Sequence, residues 1–111
     1  MECLFCKFVT GEIPVDFVYA TDTVVAFRDV APQAPTHILI VPKVHFPNAA
    51  DLAINAPSVA AELLTVAGDL AESEALTGYR LVFNTGESAG QSVFHAHLHL
   101  LGGREFAWPP G

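Results

Sequence analysis

The sequence HAHLHLL at residues 95–101 places three histidines at alternate positions, with small or apolar residues between them. Successive side chains of an extended strand point to opposite faces, so His95, His97 and His99 would share one face. The intervening residues would pack into the core, and neighbouring histidines would lie about 6.5–7 Å apart. The stretch therefore predicts a strand with a row of imidazoles, here called the histidine row, that faces one ligand.

Three interpretations of the histidine row are open from its spacing. Histidines that alternate by chance are the least favoured, because each buried ring would need its own hydrogen-bond partner. Two histidines at positions i and i+2 of a strand can both ligate one zinc ion. A neutral imidazole, whose ordinary pKa is about 6.5, can instead attack phosphorus and form a covalent intermediate. Spacing alone does not choose between the last two.

Composition and charge limit the classes of function. The 111 residues suit one domain, and 51% of them are hydrophobic. Five basic residues against twelve acidic ones give a net charge of −7 without a basic cluster, so we expect no nucleic acid polymer as a partner. No apolar run reaches the roughly 20 residues of a membrane span, and the first residues do not resemble a signal peptide. We therefore expect a cytoplasmic protein with no membrane partner.

The rest of the chain predicts a mainly antiparallel sheet with one long helix. Apolar residues recur at helical spacing over 57–74, and Pro57 suits the first turn of a helix. The run THILIV, residues 36–41, is apolar on both faces and is predicted to be a central strand. The segment 31–35, APQAP, is predicted to be irregular. Further strands are predicted at 17–20, 23–28, 79–84 and 93–101, and a short helical turn is predicted after the first cysteines.

The loop TGESAGQS, residues 85–92 and here called the glycine loop, lies directly before the predicted histidine strand. Gly86 and Gly90 allow successive backbone N–H groups to converge on an anion. Asn84, Gln91 and Ser92 add neutral donors suited to phosphate oxygens. A zinc catalyst would usually recruit a carboxylate beside its water, and the histidine row has none adjacent to it. The neighbourhood therefore favours phosphorus chemistry over a catalytic metal.

Cys3 and Cys6 form a CxxC pair. In a cytosolic protein this spacing indicates a metal site, a redox pair or neither. The redox interpretation needs the pair to follow a strand and open a helix, and here it lies at the start of the chain. A zinc site would require two further ligands.

The motif HAHLHLL fits the signature of the histidine triad (HIT) superfamily. Residues 27–43, 79–86, 90–104 and the final WPPG also resemble the Hint branch, the nucleotide-binding purine phosphoramidases. The resemblance extends from Cys3 to Gly111 and implies a single HIT domain over residues 1–111. It implies an α+β fold: an antiparallel sheet of about five strands with one main helix and a short N-terminal helix. It also implies a homodimer in which the two sheets are continuous.

The resemblance assigns roles to four catalytic residues. His97 is implied to be the nucleophile that takes the nucleotidyl group, with its other ring nitrogen donating to a backbone carbonyl in the same strand. His99 is implied to contact the phosphate, with His37 beside it on the neighbouring strand. Ser92 is implied to donate a proton to the leaving amine.

The resemblance also implies a nucleotide site. Asp29 matches a ribose-binding carboxylate, which can accept hydrogen bonds from both ribose hydroxyls. Trp108 corresponds to a tail residue that reaches the site of the other subunit. The phosphate contacts are implied to be Asn84, Gly90, Gln91, Ser92, His97 and His99, and the apolar base pocket Phe5, Ile13, Phe27 and Val30.

For the cysteines, the resemblance implies a structural zinc ion. Cys3, Cys6, His45 and His95 occupy the four places at which many bacterial members bind zinc, and a Cys₂His₂ set is a closed structural site. The Hint branch commonly lacks the cysteines, so this chain combines two patterns. No catalytic cofactor is expected.

Together with the favoured phosphorus chemistry, the resemblance implies hydrolysis of the P–N bond of purine nucleoside phosphoramidates. A covalent nucleotidyl-histidine would form, and water would release a nucleoside monophosphate. The alternatives are a dinucleoside polyphosphate hydrolase or nucleotidyl transferase, and a non-catalytic nucleotide-sensing interaction module. A zinc hydrolase is the remaining alternative.

Overall fold

Five antiparallel strands form one sheet in the computed structural model, which describes residues 3–111. The strand order is β1-β2-β3-β5-β4, so the strand predicted to be central lies in the middle of the sheet. The strands are β1 Tyr19–Ala20, β2 Val24–Arg28, β3 Thr36–Pro42, β4 Tyr79–Val82 and β5 Leu98–Gly102. All seven residues of β3 are buried, as its apolar run on both faces predicted.

Within residues 3–111, three helices accompany the sheet: α1 Leu4–Thr10, α2 Ala49–Asn55 and α3 Pro57–Ser73. The predicted main helix, α3, is confirmed with Pro57 in its first turn. The predicted helical turn after the cysteines is α1, which ends at Gly11 in the left-handed conformation with φ +81°. A single 3₁₀ turn, Glu87–Ala89, lies in the glycine loop.

Helix α2 was not predicted, and the expectation of one main helix and one N-terminal helix is incomplete at this point. Asn48 caps it by accepting a hydrogen bond from the Asp51 backbone N–H at 2.9 Å. Leu52 is its buried residue, so the helix has no apolar periodicity that a sequence pattern could reveal.

The predicted strand over residues 93–101 is wrong at its start, because β5 begins only at Leu98. The ladder with β3 ends where Ile40 pairs with Leu98. Two residues further along β3 stands Pro42, which has no backbone N–H to continue a ladder. His95 and His97 therefore lie in an irregular segment that enters β5 rather than within the strand itself.

The two faces of the sheet pack against different partners. One face carries the larger core, in which Ile38, Ile40, Leu98 and Leu100 meet α3. The other face carries a smaller core of Cys3, Phe5, Val25, Phe27, Leu39 and Val41, which is covered by α1. None of the helices within residues 3–111 is long and apolar enough to cross a membrane.

Candidate functional site

The structure divides the histidine row between two places. The side chain of His95 is fully buried and lies with Cys3, Cys6 and His45. The rings of His97 and His99 are neighbours, with centroids 5.0 Å apart. The three histidines therefore do not face one ligand together, because the segment before Leu98 has left the sheet.

His97 is held in one tautomer by the backbone. Its Nδ1–H donates to the carbonyl oxygen of His95 at 2.7 Å, which is the hydrogen bond expected for this residue. The Nε2 atom therefore carries the lone pair, and the centroids of the His97 and Phe5 rings lie 5.0 Å apart in an edge-to-face arrangement. Burial lowers the pKa of His97, and the bond to His95 partly opposes that change. The ring is neutral at pH 7 and can act as a nucleophile.

His99 is joined to His37 across the neighbouring strands β5 and β3. The Nε2 atom of His37 lies 2.9 Å from the Nδ1 atom of His99. Burial, together with the smaller effects of the nearby His97 and His37, lowers the pKa of His99 to about 4. The Nε2 atom of His99 is buried and has no hydrogen-bond partner within residues 3–111. A buried polar atom of this kind calls for a partner supplied by a ligand.

Asp29 follows β2 and reaches the same place. Its Oδ1 atom accepts a hydrogen bond from the Ala31 backbone N–H at 2.8 Å. Its Oδ2 atom lies 3.5 Å from Nε2 of His37. The carboxylate is partly exposed beside the histidines, which is compatible with the predicted ribose contact.

The glycines of the glycine loop have positive φ, but the expected convergence of backbone N–H groups on an anion is wrong for most of the loop. The N–H groups of Gly86, Ala89, Gly90 and Gln91 all donate to acceptors within the loop. Gly86 and Gly90 have φ values of +89° and +94°. The side chain of Asn84 lies beside Gly90, 3.9 Å from the position that a Cβ atom would take there. Ser92 is exposed at the end of the loop.

Gln91 is buried, and its side chain makes hydrogen bonds to backbone atoms in and beside the glycine loop. Its Oε1 atom accepts from the Gly86 backbone N–H at 2.9 Å. Its Nε2 group donates to the carbonyl oxygens of Pro47 at 2.7 Å and Val93 at 3.2 Å. The side chain thus stabilises the conformation of the glycine loop. A contact between this side chain and a phosphate stays a prediction.

The residues predicted for the base pocket differ in burial. Phe5 and Phe27 are both in the smaller core, with ring centroids 5.5 Å apart in an edge-to-face arrangement. Ile13 is 36% exposed and Val30 is 100% exposed, so these two are free to meet a ligand. Trp108 is 82% exposed on the C-terminal tail.

Four predicted metal ligands come together at one point, here called the Cys/His cluster: Cys3, Cys6, His45 and His95. The Nδ1 atom of His95 lies 3.3 Å from Cys3 Sγ and 3.5 Å from Cys6 Sγ. The Nδ1 atom of His45 lies 3.6 Å from Cys6 Sγ and 3.2 Å from His95 Nδ1. A tetrahedral zinc ion with bonds of about 2.0–2.3 Å separates its ligand atoms by about 3.3–3.8 Å, which these distances match closely.

The protonation of the Cys/His cluster also suits a metal. The Nε2–H of His95 donates to the Pro42 carbonyl oxygen at 2.8 Å, so its Nδ1 atom is the one with a lone pair. Burial and the neighbouring Cys3 raise the pKa of Cys6 to about 11. A divalent cation would remove this repulsion between two adjacent thiolates. The residues therefore fit a structural zinc ion.

A second group of possible ligands consists of Asp29, His37 and His99, whose ligand atoms lie within 4.8 Å of one another. A cavity of about 760 Å³ lies elsewhere, lined by residues of 75–80 and 103–106. It contains none of the histidines and opens beside β4.

Two functional contacts were missed because backbone atoms make them. The Gln33 backbone N–H donates to Nδ1 of His37 at 3.0 Å, and the Pro42 carbonyl accepts from His95. For the contact between Gln33 and His37, the sequence indicated only that the segment 31–35 is irregular. No residue type marks a backbone donor or acceptor, so pattern reasoning could not find them.

Comparison with known proteins identifies the protein family. The HIT domain family matches residues 10–106, and the chain belongs to this family. Its fold is the HIT fold, as predicted.

Individual relatives are similar over nearly the whole chain. Purine nucleoside phosphoramidase of Escherichia coli K12 is 48% identical over 105 residues, covering 93% of this chain and 88% of that protein. An uncharacterised HIT-like protein of Synechococcus elongatus is 49% identical over 111 residues, covering 99% and 97%. The crystal structure of a HIT family hydrolase from Legionella pneumophila has a TM-score of 0.94 and 50% identity, covering 99% of this chain and all of that one.

Proposed function

We propose that this protein hydrolyses the P–N bond of purine nucleoside phosphoramidates and releases a nucleoside monophosphate. The observation that carries the proposal is the fixed tautomer of His97, whose Nδ1–H is bound to a carbonyl and whose Nε2 lone pair is free. The name of the Escherichia coli relative at 48% identity supports the substrate class.

The reaction takes place in two steps. His97 Nε2 attacks the α-phosphorus, so an N–P bond to the ring forms while the P–N bond to the amine breaks. The amine needs a proton to leave, and Ser92 at the end of the glycine loop supplies it. Water then attacks the same phosphorus and passes one proton to Ser92, which restores the serine hydroxyl, while the bond to His97 breaks and the monophosphate departs.

The surrounding groups bind the nucleotide. The buried Nε2 atom of His99 meets a phosphate oxygen, and the side-chain amide of Asn84 beside Gly90 donates to the same anion. Asp29 accepts from the ribose hydroxyls. Ile13 and Val30, both exposed, cover the base. A neutral site of this kind binds an anion without the cationic patch that the chain lacks.

The Cys/His cluster holds one zinc ion in this proposal. When bound, the metal supplies a structural cross-link and no chemistry at phosphorus. His95 and His45 would hold it through Nδ1, and Cys3 and Cys6 through Sγ. The residues fasten the start of α1 to the segments that follow β3 and precede β5.

Two chains pair through β4 in the same proposal. Strand β4 is an edge of the sheet and pairs only with β5 within residues 3–111. Its free backbone groups can extend the sheet into a second copy. The exposed Trp108 lies on the tail beyond this edge, held by the Arg80 guanidinium that donates to the Ala107 carbonyl at 2.9 Å. A molar mass of twice the chain by light scattering is the expected result, and a monomer that still turns over would contradict it.

The decisive experiment is steady-state hydrolysis of a fluorogenic adenosine phosphoramidate by the wild type and by His97→Ala. Turnover should vanish in the variant, while binding of adenosine monophosphate by calorimetry is largely kept. Thr65→Ala, on the exposed side of α3, serves as the control that keeps both.

The alternatives give different results in the same experiment. A folded wild type that binds the nucleotide without turnover would contradict the enzyme and support a nucleotide-sensing module. Faster turnover of a dinucleoside polyphosphate than of the phosphoramidate would support the alternative leaving group. Loss of binding in His97→Ala as complete as its loss of turnover would argue against His97 as the nucleophile.

A further inference from the structure

Three groups form a hydrogen-bonded series: the Gln33 backbone N–H in the irregular segment 31–35, the His37 ring and the His99 ring. The Gln33 backbone N–H donates to Nδ1 of His37 at 3.0 Å. Nε2 of His37 lies 2.9 Å from Nδ1 of His99. Nε2 of His99, at the far end, is buried without a partner among the residues described.

The direction of both hydrogen bonds in this series follows from the Gln33 backbone N–H. A backbone N–H can only donate, so Nδ1 of His37 is the acceptor and carries no proton. The proton of the neutral His37 ring is therefore on Nε2, and the bond to His99 runs from His37 Nε2–H to His99 Nδ1. The neutral His99 ring must then carry its own proton on Nε2.

The carboxylate of Asp29 supports the same direction independently. Its Oδ2 atom lies 3.5 Å from Nε2 of His37, and a carboxylate is attracted to the nitrogen that carries the proton. The Oδ1 atom is held in place by the Ala31 backbone N–H at 2.8 Å. Burial lowers the pKa of both His37 and His99, so both rings are neutral at pH 7 and have a defined tautomer.

We propose that the Gln33 backbone N–H, acting through His37, fixes His99 as the Nε2–H tautomer and so makes it an obligatory hydrogen-bond donor to an anionic oxygen. Gln33 and His37 are positioning residues in this arrangement, because neither needs to touch the reacting atoms. The proposal rests on the proposed function only for the identity of the anion, a phosphate oxygen. The tautomers themselves belong to the free protein.

The same reasoning decides against a metal ion at Asp29, His37 and His99. Their ligand atoms lie close enough together to hold one. A metal at Nε2 of His37 would need that nitrogen deprotonated, and the ring proton would then move to Nδ1, where it would oppose the Gln33 N–H. The site is therefore built for an anion.

The first test reads the tautomers directly. Long-range ¹H–¹⁵N correlation spectra of the ¹⁵N-histidine-labelled wild type at neutral pH show which ring nitrogen is protonated. The signals of His37 and His99 are assigned from their loss in His37→Phe and His99→Asn. Nε2–H on both rings is expected, and a proton on Nδ1 of either ring overturns the proposal. This outcome does not depend on any substrate, so it is separate from failure of the proposed enzyme.

The second test compares two replacements of His37. His37→Phe removes the donor to His99, whereas His37→Gln supplies an amide that can donate to His99 and accept from Gln33. We expect His37→Phe to release His99 into a mixture of tautomers and to lower kcat by about tenfold, the worth of one hydrogen bond. His37→Gln should keep the Nε2–H signal of His99 and recover most of kcat. Equal loss in both variants with His99 unchanged as Nε2–H would overturn the positioning role.

The third test removes the first donor alone. Replacement of Gln33 by its α-hydroxy acid converts the backbone N–H to an ester oxygen and leaves the side chain in place. The same change at Ala34 is the matched control, because the Ala34 N–H makes no hydrogen bond in the structure of residues 3–111. A mixed His99 tautomer should appear only in the first ester. Retention of a pure Nε2–H signal there would contradict the role of Gln33.

The fourth test measures zinc binding to a Cys3→Ala/Cys6→Ala double variant, in which the Cys/His cluster is disabled. No stoichiometric binding is expected, and the His37 and His99 signals should stay unchanged. Tight binding that shifts those signals would show a metal site at Asp29 and overturn the proposal.

Discussion

His95 connects the Cys/His cluster to His97, the proposed nucleophile. Its side chain lies with the cysteines, and its backbone carbonyl oxygen accepts the Nδ1–H of His97 at 2.7 Å. Because the cluster holds His95 in place, the hydrogen bond from His97 to the His95 carbonyl also fixes the orientation of the His97 ring, although His97 is outside the cluster.

Removal of the cluster's metal should lower stability. We expect protein prepared without chelator to contain about one zinc ion per chain, and Cys6→Ser to contain much less. Because bound metal contributes folding free energy directly, the variant should melt roughly 10 °C or more below the wild type. Elemental analysis and calorimetry measure both quantities. An equal melting temperature with well under one zinc per chain in the wild type would leave the cysteines as packed thiols.

Acidification should destabilise the fold before the carboxylates titrate. Burial lowers the pKa of His99 from 6.5 to about 4 in the folded state. Between these pH values the unfolded chain binds more protons than the folded one. The contribution of neutral His99 to the free energy of unfolding is therefore complete above about pH 6.5 and is lost towards pH 4. Urea unfolding of the wild type and His99→Asn at several pH values measures the difference. The stability of the variant should depend less steeply on pH in this range, and identical slopes would contradict the shift.

Gly103 should tolerate substitution poorly. Its φ is +90°, and a Cβ atom there would lie 2.9 Å from Cβ of Pro35 in the irregular segment 31–35. Gly103→Ala is expected to cost about 1–2 kcal/mol of unfolding free energy. Gly78→Ala is the control, because its added Cβ meets nothing within 4 Å and its φ is not in the left-handed region. Equal unfolding free energies of the two variants would argue against strain at Gly103.

The ion pair of Arg28 and Glu74 should contribute little. Its two hydrogen bonds are 2.9 and 3.1 Å long and join the end of β2 to the end of α3. The Arg28 side chain is 51% exposed, so water and salt screen the attraction. We expect Glu74→Gln to cost about 0.5–1 kcal/mol at low salt and less at high salt. A larger loss, independent of salt, would indicate a role in packing.

Most of the sheet could be predicted from the sequence because local patterns decide it. Alternation and apolar runs predicted all five strands and the middle position of β3, and helical spacing predicted α3. The start of β5 could not be predicted, since it depends on Pro42 in a strand distant along the chain. Helix α2 was missed because it depends on an N-cap and one buried leucine rather than on periodicity.

The candidate site was predictable where a side chain does the chemistry. His97, His99, Asp29 and the Cys/His cluster occupy places compatible with their predicted roles. What could not be predicted is which donors are already in use inside the fold. Gln91 looks like a ligand contact in the sequence, yet its amide braces the glycine loop.

The sheet separates two sets of residues that alternate along the segment 96–100, which runs into β5. In residues 96–100, Ala96, Leu98 and Leu100 pack in the core beneath α3, while His97 and His99 lie in the site. Substitutions on α3 therefore reach the large core without entering the candidate site. A gene library confined to α3 should vary heat tolerance independently of substrate choice, which makes this helix the natural first target for engineering the protein.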